Sequence, residues 1–157
     1  MSEITVKIIA SAFATLGFSL LFKANLRHLP AMVAGGTMTA AIYLYLNSVR
    51  GVGMFVSSFL AVASLAILAE ILARVFRAPT AIFLRPGGII LFPGSRLYYT
   101  MSYLIQRNTE LAKENGMAAL LIGLGIAGGM IAGSVVCGTI SRAIDKWHLD
   151  KLLAGKK

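Results

Sequence analysis

Charged side chains are rare in this 157-residue chain, and two of them, Arg85 and Arg96, fall inside an otherwise apolar stretch. A guanidinium carries paired N–H donors that match a carboxylate, so either arginine could bind an anionic solute by two parallel hydrogen bonds. The plainer alternative is that each lies near a membrane surface and reaches out to headgroups, which the adjoining Tyr98 and Tyr99 favour for Arg96. The same stretch holds Pro86-Gly87-Gly88 and Pro93-Gly94-Ser95. Proline removes a helix hydrogen bond and glycine admits positive φ. Two such runs seven residues apart therefore predict a helix broken twice, with free N–H and C=O groups between the breaks. Those groups would present dipoles to a zwitterionic or anionic solute; otherwise the breaks only kink a packed helix.

Other candidates are few. Glu70 and Arg74 stand four apart, which suits an ion pair on one helical face. The sharper alternative makes Glu70 a proton carrier, since burial raises a carboxyl pKa into a useful range. Gly125, Gly129 and Gly133 form a ridge of small residues, continued by Cys137 and Ser141, along which two helix backbones can approach closely. The partner helix could belong to this chain, to another subunit or to a second copy. His28 falls in a short loop and His148 in a basic tail, neither with a metal-ligand neighbour, so both are expected to be solvated. With one cysteine, no disulfide framework and no Ser/His/Asp, Cys/His or metal cluster, the residues call for no cofactor and argue against an enzyme.

What must position these groups is a set of membrane helices. The chain is 57% hydrophobic and only 13% charged, with a mean hydropathy of +0.79. A soluble domain carries about 25% charged residues, so too little polar surface exists here to cover a water-facing globule. The apolar residues come in blocks near the roughly 20 residues that span a bilayer. An all-α integral membrane protein follows, a single domain with about five spans near 4–22, 30–46, 52–73, 78–104 and 117–140, the fourth broken. The first block resembles a signal peptide in having an early lysine, but Glu3 and the lack of a small-residue cleavage site favour a retained helix. The tail over 142–157 reads as a short amphipathic helix lying on anionic lipid.

The net charge of +9 would suggest nucleic acid in a soluble protein. Here the basic residues flank apolar blocks, and no basic face with interleaved aromatics appears, so nucleic acid is not an expected partner. Five spans leave Lys7, Arg50, Arg107 and Lys113 on one side and about nine basic residues, from Lys23 to Lys157, on the other. The positive-inside rule then sets the N-terminus outside and the C-terminus in the cytoplasm. A re-entrant fourth segment would erase that bias.

The run Ala69 to Tyr99, AEILARVFRAPTAIFLRPGGIILFPGSRLYY, resembles the threonine/serine exporter family, and more narrowly its small split subunit. Pro86, Gly87, Ile89, Leu91, Pro93, Gly94 and Ser95 match the family's central Pro-Gly pattern. Ile90 and Arg85 depart from it, standing where the family often has a third proline and an aliphatic residue. The resemblance implies a secondary exporter of small polar metabolites, threonine and serine or a dicarboxylate such as succinate, in a bacterial inner membrane. It also implies a larger membrane subunit as partner. Two half-transporters of five spans each would be related by inverted topology, with the site at their interface. A channel subunit, or a membrane scaffold that transports nothing, are the competing functions.

Overall fold

A computed structural model describes residues 2–154, and side-chain surroundings over residues 3–139. The amphipathic face expected of the tail over 142–157 lies outside the described side chains. Six α-helices are present: α1 (Ser2–Leu21), α2 (Leu29–Leu44), α3 (Met54–Phe76), α4 (Thr80–Ile89), α5 (Gly94–Ile105) and α6 (Thr109–Ala154). A π-helical turn, Tyr45–Val49, prolongs α2. Among the described residues, four stretches are long and apolar enough to cross a bilayer: Glu3–Leu21, Leu29–Val49, Met54–Phe76 and Thr109–Thr139.

Between α3 and α6 the Pro-Gly segment is built of α4 and α5 in series. At 1.5 Å per residue their 10 and 12 residues reach about 15 and 18 Å, so neither alone crosses a hydrocarbon core of about 30 Å. Direction is settled by α3 and α6. A Cβ built on Gly125, Gly129 or Gly133 would meet Phe55 O, Phe59 O or Ala63 O respectively. Both sequences advance together, so α3 and α6 run parallel. The chain between them must return from the far end of the bundle to the near end, where α1 begins. A re-entrant fourth segment would instead leave α6 antiparallel to α3.

The segment is interrupted once, not twice. Pro86 lies inside α4, and helical structure continues through Gly87 and Gly88 to Ile89. A mid-helix proline deprives only the carbonyl four residues back, Ile82 O, of its donor, and membrane helices tolerate this where neighbours enclose them. Pro86, Gly87 and Gly88 are all buried. The true break is at Leu91–Pro93. Leu91 N–H donates to Gly88 O at 3.2 Å and Phe92 N–H to Ile89 O at 3.1 Å, tightening the helix end. Pro93, at φ −79° and ψ 48°, then forms an inverse γ-turn closed by Gly94 N–H to Phe92 O at 2.8 Å.

None of the segment's glycines has positive φ; Gly87 and Gly88 serve proximity, while nothing lies within 4 Å of a Cβ on Gly94. A Cβ on Gly87 would stand 2.9 Å from both Leu65 Cδ atoms and 3.4 Å from Gly36 Cα. At this point α2 and α4 cross with their backbones close, and the Leu65 side chain of α3 packs into the crossing. Nearer the far end, Phe83 packs with Met32, Ala69 and Ala73; on the near side, Leu91 packs with Ala61 and Val62.

Three turns share one solution. α1, α3 and α5 each end on a basic residue in the left-handed region, Lys23, Arg77 and Arg107. In each, the following N–H reaches back five residues: Ala24 to Ser19 O, Ala78 to Ala73 O and Asn108 to Tyr103 O, at 2.9–3.0 Å. Orphan helix carbonyls are thus satisfied and a cation sits at the negative end of each helix dipole.

α6 begins earlier than its apolar block. Asn108 Oδ1 accepts from Leu111 N–H at 3.3 Å and Glu110 lies in the first turn, a start signal set among polar residues. Gly125 of α6 is level with Phe55 at the start of α3, so about 24 Å of α6 precedes that level. α5 packs along this projecting part, with Tyr98 and Tyr99 exposed.

Candidate functional site

The Pro-Gly segment divides two clefts that open toward opposite ends of the bundle. The far cleft, ≈ 330 Å³, is lined by Phe22, Lys23, Ala24, Asn25, His28, Ile82, Arg85 and Pro86. The near cleft, ≈ 320 Å³, is lined by Lys7, Ser11, Ala40, Tyr43, Leu44, Ile90 to Pro93, Ser95, Arg96 and Ile122. Along α4 the wall between them runs only from Pro86 to Ile90, about 6 Å of helix rise.

Each cleft carries basic residues and no Asp or Glu. Arg85 is exposed in the far cleft and makes no hydrogen bond or ion pair with a described residue. Arg96, half-buried, does not extend freely to a surface: its Nη1 donates to Asn115 Oδ1 at 3.0 Å. Buried Asn115 is fixed in turn by donating Nδ2–H to Leu111 O at 2.9 Å. Asn115→Leu is therefore expected to release the guanidinium, which the measured reactivity or mobility of Arg96 in the purified protein would register. At the start of α5 the backbone N–H groups of Ser95 and Arg96 have no acceptor, which adds the positive end of a helix dipole to the near cleft.

Gly94 and Ser95 are exposed beside that cleft and Pro93 is buried at its wall. Gly88 faces Met130 of α6 rather than either opening. A third hollow of ≈ 660 Å³ joins Arg96 to Glu110, Lys113 and Glu114 beside the projecting α5–α6 pair.

Glu70 lines neither cleft. Its Oε1 pairs with Arg74 Nη2 at 3.4 Å, and its Oε2 accepts from Thr80 Oγ1–H at 2.8 Å. The carboxylate thus ties the last turns of α3 to the first residue of α4. Thr80→Val should loosen that tie by about 1 kcal/mol, read as a lower melting temperature in detergent. The glycine ridge of Gly125, Gly129 and Gly133 lies against α3 of the same chain.

His28 is only partly solvated, where its loop position suggested a solvated ring. The ring packs edge-on against Phe76 and Phe83, with centroids 5.0 and 5.6 Å away, and its Nδ1 is buried without a partner. The loop is short enough that the N-terminus of α2 presses His28 onto the ends of α3 and α4.

The polar lining that sequence reasoning missed is on α1. Ser11, Thr15 and Ser19 are buried at 8%, 0% and 0% exposure, facing α2, where Thr39 is likewise at 0%. Their spacing of four was the available signal: hydroxyls on one face of an apolar helix whose other face is Val6, Phe13 and Leu20.

Helices that cross a membrane around two opposed, basic clefts describe a transport protein. The chain belongs to the threonine/serine exporter family: the family's sequence profile, described as Threonine/Serine exporter, ThrE, matches residues 7–136. It is accordingly a multi-pass membrane protein of an exporter-type transporter family. No curated protein and no solved structure matches the chain.

Proposed function

We propose that this chain is the small subunit of a secondary exporter that moves small carboxylate-bearing metabolites out of a bacterial cell together with a larger membrane subunit of the same family. The observation that carries the proposal is the pair of clefts separated by one turn of α4, each with an arginine at its wall. A solute bound against Arg85 on one side need pass only the Gly87–Ile89 turn to reach Arg96 on the other. Alternating access demands that kind of thin, protein-enclosed partition.

Lys7 pairs with Glu3 at 3.6 Å, but Arg85 and Arg96 have no carboxylate partner among the described residues. Those two suit a carboxylate ligand, and a dicarboxylate such as succinate leaves no ammonium to be satisfied. Threonine or serine would need its ammonium met by backbone carbonyls or by the larger subunit. The far end of the bundle holds Lys23, Arg27, Arg74 and Arg77 and is assigned to the cytoplasm, so the N-terminus is outside. The far cleft is then the loading side. The apolar outer faces contact membrane lipids, and the larger subunit or a second copy covers part of them.

The test is export from native-host membrane vesicles of labelled threonine, serine and succinate, with and without an imposed proton gradient. Accumulation against the solute gradient is expected, and Arg85→Gln and Arg96→Gln should each lower the rate at least about tenfold, as lost charge-assisted bonds do. Transport that runs only downhill would instead identify a channel. Glu70→Gln should abolish gradient-driven movement if Glu70 carries the coupling proton; unchanged transport would leave it the structural tie described above.

A further inference from the structure

Three observations concern α1. First, it packs on α2 and lightly on α4, and it has no comparable contact with α3 or α6. Second, the face it buries is made of hydroxyls rather than aliphatic chains: Ser11, Thr15 and Ser19. Third, each hydroxyl is bonded only within its own helix, Ser11 Oγ to Ile8 O, Thr15 Oγ1 to Ser11 O and Ser19 Oγ to Thr15 O, all at 2.7 Å. Thr39 on the facing helix does the same, donating to Gly35 O at 2.8 Å.

Parting α1 from α2 therefore breaks none of these hydrogen bonds and strands no donor. In a bilayer it also forfeits little hydrophobic stabilisation, because lipid tails are as apolar as a helix interface. The seam between α3 and α6 is the opposite case, with Cα positions set against backbone carbonyls. The α1–α2 seam is thus held less firmly than the α3–α6 seam.

The seam also joins the two clefts. Lys7, Ser11, Ala40 and Leu44 line the near one, and Lys23 and Ala24, just beyond the end of α1, line the far one. Midway, Thr15 seats its side chain in the notch of Gly36, and a Cβ on Gly87 of the partition would stand 3.4 Å from Gly36 Cα.

We propose that the solute crosses along the α1 side of the partition, over the Ser11–Thr15–Ser19 hydroxyls, and that Thr15 in the Gly36 notch is the closed gate. Once α1 moves aside, each hydroxyl can turn its O–H from the helix carbonyl to the solute's carboxylate, the carbonyl keeping its own helix N–H, in the order cleft, gate, cleft. The α1–α2 seam thus becomes the binding path for a small carboxylate, a role that packing alone does not require. The inference rests on the exporter reading.

The test uses the full chain in its native host membrane, where any partner is present. Thr15→Val keeps the volume and removes the hydroxyl; export should fall about tenfold with the membrane level unchanged, while Thr15→Ser keeps most activity. Thr139→Val removes an exposed hydroxyl bonded to Val135 O in the same manner and should change nothing. In a Cys137→Ser background, a Thr15→Cys variant should react with a charged maleimide only while transport runs, at least about fivefold slower when saturated with succinate or threonine. Normal export by Thr15→Val, with the Thr15→Cys thiol inert under all conditions, would overturn the gate and leave the exporter intact. Absence of uphill export by the unaltered chain would overturn both.

Discussion

Replacing Gly129 by leucine is expected to prevent the chain from accumulating as a folded membrane protein. A Cβ at this position would stand 2.5 Å from Phe59 O and 3.1 Å from Ala63 N, both backbone atoms of α3. A flexible side chain could turn away; a helix backbone can withdraw only by carrying the whole of α3 with it. The neighbouring turns are packed as closely, since a Cβ on Gly125 would stand 2.6 Å from Phe55 O and one on Gly133 2.9 Å from Ala63 O. The α3–α6 seam is the most extensive among the described residues. Overpacking of this kind costs about 3 kcal/mol, and here the clash extends to the peptide groups themselves. Gly123→Leu is the matched control, since nothing lies within 4 Å of its Cβ position. Membrane abundance and the melting temperature in detergent should fall sharply for the first variant and stay near wild type for the second. Equal behaviour of the two would mean that α3 and α6 do not meet as described.

The second large effect is expected at Gly36, and its sign can be reversed. An added methyl there overlaps the Thr15 side chain, whose rotation is restrained by β-branching and by the bond to Ser11 O. Gly36→Ala should therefore push α1 off α2, lowering export at least about tenfold, with abundance reduced far less than at Gly129, because α1 is held by few other contacts. Thr15→Ala removes the two nearest atoms of the clash, so the double variant should recover export to within about threefold of Thr15→Ala alone. Gly87→Ala offers a contrast: its methyl would meet the two Cδ atoms of Leu65 at 2.9 Å, a flexible end that can yield. A double-mutant cycle between positions 36 and 15 measures the coupling directly. Additive losses would show that the two residues do not form one contact.

The sequence was informative wherever composition itself is the physical cause. A bilayer selects helices by apolar length alone, so the spans over residues 3–21, 29–49 and 54–76 could be read from hydropathy within a few residues. Two features were hidden for identifiable reasons. Pro86 looks like a helix breaker, yet its cost is a single carbonyl, and burial of Pro86 through Gly88 inside the bundle keeps the turn helical. Pro93 does break the chain, because the inverse γ-turn at Phe92–Gly94 follows a helix end already tightened by two three-residue bonds. Identical residue types thus behave oppositely according to what surrounds them, which no local pattern encodes.

The site was legible in part. Arg85 and Arg96 stood out as charges in an apolar run, and both line clefts. That Arg96 is held by Asn115 could not be read, since the two are brought together only by the return of α6 past α5. His28 was misread because a loop position says nothing about which aromatic rings the loop covers, here Phe76 and Phe83. The α1 hydroxyls were overlooked because Ser and Thr barely lower the hydropathy of a span, although their spacing placed them on one face.

A partition with one cleft on each side is most directly tested by labelling from the two faces of the membrane. In a Cys137→Ser background, Arg85→Cys and Ser95→Cys are treated with a membrane-impermeant maleimide in right-side-out and inverted native vesicles. The expected result is reaction of the first from the cytoplasmic face only and of the second from the outer face only. Reaction of both from the same face would mean that the Pro-Gly segment turns back instead of crossing, and the partition between opposed clefts would not exist.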